Sequence, residues 1–150
     1  MWALCLLACA PAVDVRLTFS GHSETERVVG NGFQSNEGEK RVAADSERRV
    51  YSAVDTRGRI HRKLRIETPA SVQAGESVNL QAQENISVYF ALLDETSACD
   101  FTWRSPDCYR ARGGTVTVEG TDPPTFRFTD VRMEKGNRAF VMDGRGVWRP

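Results

Sequence analysis

The sequence predicts an all-β protein, an antiparallel β-sandwich or open barrel, and three observations carry that expectation. Apolar residues recur at every second position over most of the chain, which is the period of a strand with one buried face. Glycine and proline punctuate these runs, at Gly75, Gly113-Gly114, Pro123-Pro124 and Gly136, so the strands are short and separated by turns. The chain has 150 residues, 40% of them hydrophobic, which suffices for one buried core and argues against wholesale disorder.

The elements follow in chain order. "VDVRLTF" sets Val13, Val15, Leu17 and Phe19 on one face of a strand, with Asp14, Arg16 and Thr18 on the other. Residues 35–49, "SNEGEKRVAADSERR", are the only stretch that tolerates one short helix, and their apolar stripe is thin. "RRVYSAVDTRGRIHRKLRIE" reads as a hairpin in which Asp55-Thr56-Arg57-Gly58 supplies the turn and Gly58 can take a positive φ. Beyond that turn Ile60, Leu64 and Ile66 face inward, and Arg57, Arg59, His61, Lys63 and Arg65 form the opposite row. "VNLQAQ" alternates weakly. "ISVYFALL", residues 86–93, is apolar without a break and fits a central strand buried on both faces. "TVTVEG" and "TFRFTDVRM" alternate again, through Val116 and Val118 and then Phe126 and Phe128. "FVMDGRGVW" suggests a closing hairpin around Asp143-Gly144. Residues 13–150 are therefore expected to form a single β-rich domain.

Residues 1–12 stand apart. Trp2 to Ala8 is apolar but much shorter than the roughly 20 residues that cross a bilayer. With the small residues that follow, it reads as the apolar stretch of a secretory signal and a short tether. Leu6-Leu7-Ala8-Cys9 resembles the lipobox of bacterial lipoproteins. That resemblance implies cleavage before Cys9 and a lipid anchor on Cys9, hence a membrane-attached protein. Because Ala10 rather than an aspartate follows, it also implies the outer membrane; a secreted or periplasmic protein is the alternative address. Lipid chains contribute about 0.8 kcal/mol per buried CH₂, and two or more make attachment lasting.

The later cysteines agree with export. Cys99 and Cys108 bound "CDFTWRSPDC", where Ser105-Pro106-Asp107 is a turn sequence that brings the ends together. Two thiols closing a short polar loop are expected to form a disulfide in an oxidising compartment. Neither a second cysteine pair nor a nearby histidine completes a tetrahedral metal site, and the spacing is not that of a redox pair. Phe101 and Trp103 inside the loop either cover the bridge or offer an aromatic contact.

Charge is sorted along the chain although the total is zero, 20 basic against 20 acidic residues. Residues 41–66 hold eight basic and three acidic groups, whereas residues 67–100 hold six acids and no lysine or arginine. If these segments are neighbours in the sheet, their charges can pair across strands. If they are not paired, Arg57, Arg59, His61, Lys63 and Arg65 make a cationic ridge for an anionic polysaccharide, lipid head groups or an acidic envelope protein. The zero net charge removes the simplest case for a nucleic-acid partner.

No catalytic constellation is legible. The two histidines, His22 and His61, lack the partners that nucleophilic catalysis needs. "GNG" at 30–32 lacks the context of a phosphate loop, and no calcium, metal or cofactor motif is present. Paired carboxylates far apart in sequence keep a secreted or periplasmic enzyme open as an alternative. The favoured expectation is a non-catalytic binding or structural domain of the bacterial cell envelope.

Overall fold

The computed structural model describes residues 12–21, 32–43, 47–81, 85–93, 99–101 and 107–149. Ten strands make up the described part, and every pairing between them is antiparallel. They are β1 (Val13–Ser20), β2 (Phe33–Ser35), β3 (Glu37–Val42), β4 (Arg48–Asp55), β5 (His61–Pro69), β6 (Ser77–Asn79), β7 (Ser87–Leu93), β8 (Tyr109–Thr121), β9 (Pro124–Lys135) and β10 (Arg138–Trp148). The sheet order is β2-β1-β10-β9-β8-β7-β5-β4-β3, with β6 on β8.

This order nearly closes the sheet into a barrel. Only Asn36 separates β2 from β3, so one bent segment pairs with β1 at its start and with β4 at its end. The Ser35 hydroxyl donates to the Val54 carbonyl at 2.5 Å, and the Gln34 amide donates to the Asp55 carboxylate at 2.9 Å. From the opposite wall the buried Trp148 indole donates to the Ser52 carbonyl at 2.9 Å. Main-chain groups that an open sheet edge would leave unpaired are thereby satisfied.

The alternation read from the sequence sets the inner wall. Val13, Val15 and Leu17 of β1, Leu64 and Ile66 of β5, Val116 and Val118 of β8, and Phe126 and Phe128 of β9 are all buried in one core. Val88, Tyr89, Phe90 and Ala91 are buried in succession, so β7 is covered on both faces. Side chains fill the middle of the barrel. Phe19, Phe90, Tyr109 and Phe140 pack at one end and Tyr51, Phe126 and Trp148 near the other, with ring centroids 4.8–5.9 Å apart. Eight strands enclose a space of about this size.

Two expectations are corrected. No helix forms among the described residues of 35–49: Glu37–Val42 is strand β3, with all six residues exposed, and Arg48 already belongs to β4. A thin apolar stripe cannot hold a helix on a core, whereas pairing with β4 satisfies this segment's backbone. Nor is Asp143-Gly144 a hairpin. It lies inside β10, where the register slips between Met142 and Gly144. Gly144 has φ +145°, and a Cβ there would stand 2.1 Å from the Arg16 carbonyl oxygen. The glycine permits close approach of β1, and the turn instead sits between Lys135 and Arg138. The β4–β5 hairpin forms where the sequence places it, with Gly58 at φ +87°, but its turn runs on past Gly58 to Ile60.

Candidate functional site

The strand that carries the cationic row starts later than the sequence suggests. β5 begins at His61, so Arg57 and Arg59 lie in the exposed turn and the row on the strand is His61, Lys63 and Arg65. Arg57 folds back onto Asp55, with the guanidinium Nε donating at 3.0 Å and Nη2 at 2.9 Å. It also reaches the Gln34 side chain at 3.2 Å. Arg57 thus borders a polar cleft of about 370 Å³ lined by Asp14, Arg16, Gln34, Asn36 and Thr56. Of the five residues expected on one ridge, three share a strand face and two belong to the turn.

Lys63 and Arg65 lie where the barrel's outer surface is not simply solvated. Val50, Ser52, Tyr89 and Ala91 point outward yet are buried. Part of the cover is Phe101, whose ring lies 5.3 Å from the Lys63 ammonium and 5.8 Å from the Arg65 guanidinium. Cations attract the face of an aromatic ring at this range. The sulfurs of Cys99 and Cys108 are 1.95 Å apart, a disulfide that ties the two ends of the loop carrying Phe101. Phe101 has φ +57°, a backbone conformation that L residues rarely adopt and that turns it towards β5. Of the two loop aromatics, Phe101 covers the row, and Trp103 lies outside the described residues, as do His22 and Cys9.

The ladder decides whether the sorted charges pair. On β4, Lys63 faces Val54 and Arg65 faces Ser52; on β7, they face Ala91 and Tyr89. All four neighbours are uncharged. Of the acids of residues 67–100, Glu67 lies on β5, Glu76 and Asp100 lie between strands and β7 carries none; Glu84, Asp94 and Glu95 lie outside the described residues. Across Tyr89 the row continues with another cation, Arg110 of β8. The resulting cross-strand order is Ser52–Arg65–Tyr89–Arg110, with Lys63 on one side and Arg48 close enough for its charge to act on Tyr89.

Two carboxylates border this group, Glu67 and, opposite Arg110 on β9, Glu134. Glu67 accepts from Arg65 at 2.5 Å and lies 3.8 Å from Arg48. The Nε atoms of Arg48, Arg65 and Arg110 are buried and make no hydrogen bond. Burial raises the Tyr89 hydroxyl pKa, while its hydrogen bond to Ser87 and the charges of Arg48 and Arg65 act the other way. Burial lowers the Arg110 pKa, and the neighbouring charge of Arg112 lowers it further. The arrangement gathers guanidinium donors and one ammonium around two aromatic rings, a chemistry suited to anionic groups such as carboxylates or sulfates.

A second group of charged residues escaped the sequence reading. Asp55 and Arg62 face each other on β4 and β5, both point into the barrel, and both are buried. The Arg62 guanidinium donates to Asp55 at 2.5 Å and lies about 6 Å from the rings of Phe19 and Phe33, closing that end of the barrel. Burial alone would raise the Asp55 carboxyl pKa. Hydrogen bonds from Arg57 and the Gln34 amide, with the charge of Arg62, outweigh burial and hold it at about 2. A carboxylate held this firmly in its ionised form supplies no proton near neutral pH. The parity of the strands contained the signal: Arg62 falls between the inward positions Ile60 and Leu64, and Asp55 follows Tyr51 and Ala53.

Among the described residues no cluster of three or more histidine, cysteine, aspartate or glutamate side chains forms a metal site. Comparison with family models, curated proteins and solved structures returns no match to this chain.

Proposed function

We propose that this protein is a non-catalytic binding domain of the bacterial envelope that takes an anionic polysaccharide on the outer face of β5, β7 and β8. The observation that carries the reading is the register of β5: Lys63 faces Val54 and Ala91 and Arg65 faces Ser52 and Tyr89, none of them an acid, with Arg110 next in line beyond Tyr89. The half-buried Phe101 adds a ring surface on which a sugar can lie.

The address in this proposal rests on Leu6-Leu7-Ala8-Cys9, with Cys9 as the lipid anchor, and on the Cys99–Cys108 bridge as the mark of an oxidising compartment. Mass spectrometry of the mature N-terminus tests it. An acylated Cys9 supports attachment to the membrane, and an unmodified Met1 contradicts it.

The ligand is tested by retention of the full chain on immobilised polygalacturonate and on its methyl ester. The acid polymer should retain the protein until salt is raised, and the neutral ester should not. Lys63→Ala combined with Arg110→Ala should abolish retention, whereas Arg59→Ala in the turn should leave most of it. Equal retention on both polymers, or no effect of the double substitution, overturns the reading.

A further inference from the structure

The barrel end opposite the Asp55–Arg62 closure is not sealed by charge. There β5 ends at Pro69, the β8–β9 turn ends at Pro124, and β4 begins with Arg48 and Arg49. Between them lies a well of about 150 Å³ walled by Pro69, Val72, Val118, Pro124 and Phe126. Cavities of about this volume hold one benzene-sized ring.

Three polar side chains border the well: Arg49, Thr121 and Tyr51, whose hydroxyl also hydrogen-bonds to Thr68. Tyr51 is buried against Phe126 and Trp148, with centroids 5.1 and 5.7 Å away, so its ring is fixed. Arg49 and Tyr51 also border a second cleft of about 280 Å³ towards Lys40 and the exposed Val42. β3 and β4 pair as Lys40 with Tyr51 and Val42 with Arg49. Strand alternation puts these four side chains on one face, which continues the inner wall of the barrel beyond its rim. The outcome is a well with Val118 and Phe126 in its wall, Thr121 beside them, and Arg49 and Lys40 at its lip.

We infer that this open end binds a small monocarboxylate whose apolar body is about one ring in size. The body fills the well above Val118 and Phe126, and the carboxylate sits at the rim, on Arg49 and the Tyr51 hydroxyl. A neutral compound of the same shape gains the apolar burial but not the charge-assisted hydrogen bonds. This site lies on the inner face and owes nothing to the outer cationic row, so either can fail without the other.

The test uses the full chain, isotopically labelled, titrated with benzoate and separately with benzyl alcohol while amide resonances are followed. Saturable shifts at Arg49, Tyr51 and Val118 are expected with benzoate, with Kd of about 1 mM. Arg49→Met keeps the apolar stem and should weaken benzoate about tenfold while leaving the weaker binding of benzyl alcohol unchanged. Val72→Trp should fill the well and abolish both, and thermal unfolding checks that each variant is folded. Three results overturn the inference: no saturable shift in the wild type, shifts located away from these residues, or benzyl alcohol bound as tightly as benzoate. The wild-type titration is decisive even if a variant fails to fold.

Discussion

Asp55 is the residue on which the closed end of the barrel turns. It accepts from two guanidinium groups and two backbone amides, and it is wholly buried. Its pKa falls from 3.8 to about 2, so the folded state holds the carboxylate more strongly than the unfolded chain does. A depressed carboxyl pKa contributes stability that is fully present above the unfolded value and is lost as pH falls through the folded one. About 2 kcal/mol of stability should therefore disappear between roughly pH 5 and pH 2. Urea unfolding across that range measures it, and Asp55→Asn should flatten the dependence. The same substitution at pH 7 should cost about 3–5 kcal/mol, because Arg62 is left buried without its counter-charge. Arg57→Ala should cost only about 1 kcal/mol, since half of that side chain is already exposed.

Among the elements, β10 shows how a glycine reads two ways in sequence. Asp143-Gly144 carries the signature of a tight turn, yet both residues lie in one strand at a bulge, where Gly144 lets β1 approach within the space a side chain would occupy. Gly144→Ala should destabilise by about 3 kcal/mol or more, by the clash with Arg16 and the unfavourable φ together. Gly136→Ala meets open space and should cost only about 1 kcal/mol, for its positive φ. Comparing the two unfolding midpoints checks the assignment. Alternation made β1, β5, β8 and β9 legible, because each buries a regular set of side chains, and an unbroken apolar run did the same for β7. The strand β3 was not legible: all its residues are exposed, so no apolar period marks it and only its hydrogen bonds to β4 define it. At β9 the period slips from Phe126 and Phe128 to Val131 and Met133. Asp130, at φ +49°, absorbs the extra residue, and its amide donates to Asp143 at 2.8 Å. The Cys99–Cys108 pairing was legible from spacing alone, and replacing both cysteines by serine should cost about 2–3 kcal/mol.

At the scale of the molecule, the sheet's near closure decides which charges face water and which are paired. Half of the cationic row was legible, because parity fixes the common face of His61, Lys63 and Arg65. Arg110 and Tyr89 were not, since they join the row only through the order of β5, β7 and β8, which no local pattern encodes. Arg57 and Arg59 fell off it because the turn extends further than its glycine suggests, up to His61. That outer face is the proposed polyanion site. Its most direct measurement is the salt dependence of polygalacturonate binding for the wild type and for the Lys63→Ala, Arg110→Ala double variant. Binding through these cations should weaken steadily with ionic strength, and the double variant should bind more weakly with a shallower dependence. A wild-type affinity that salt leaves unchanged, or the same slope in both proteins, would contradict it.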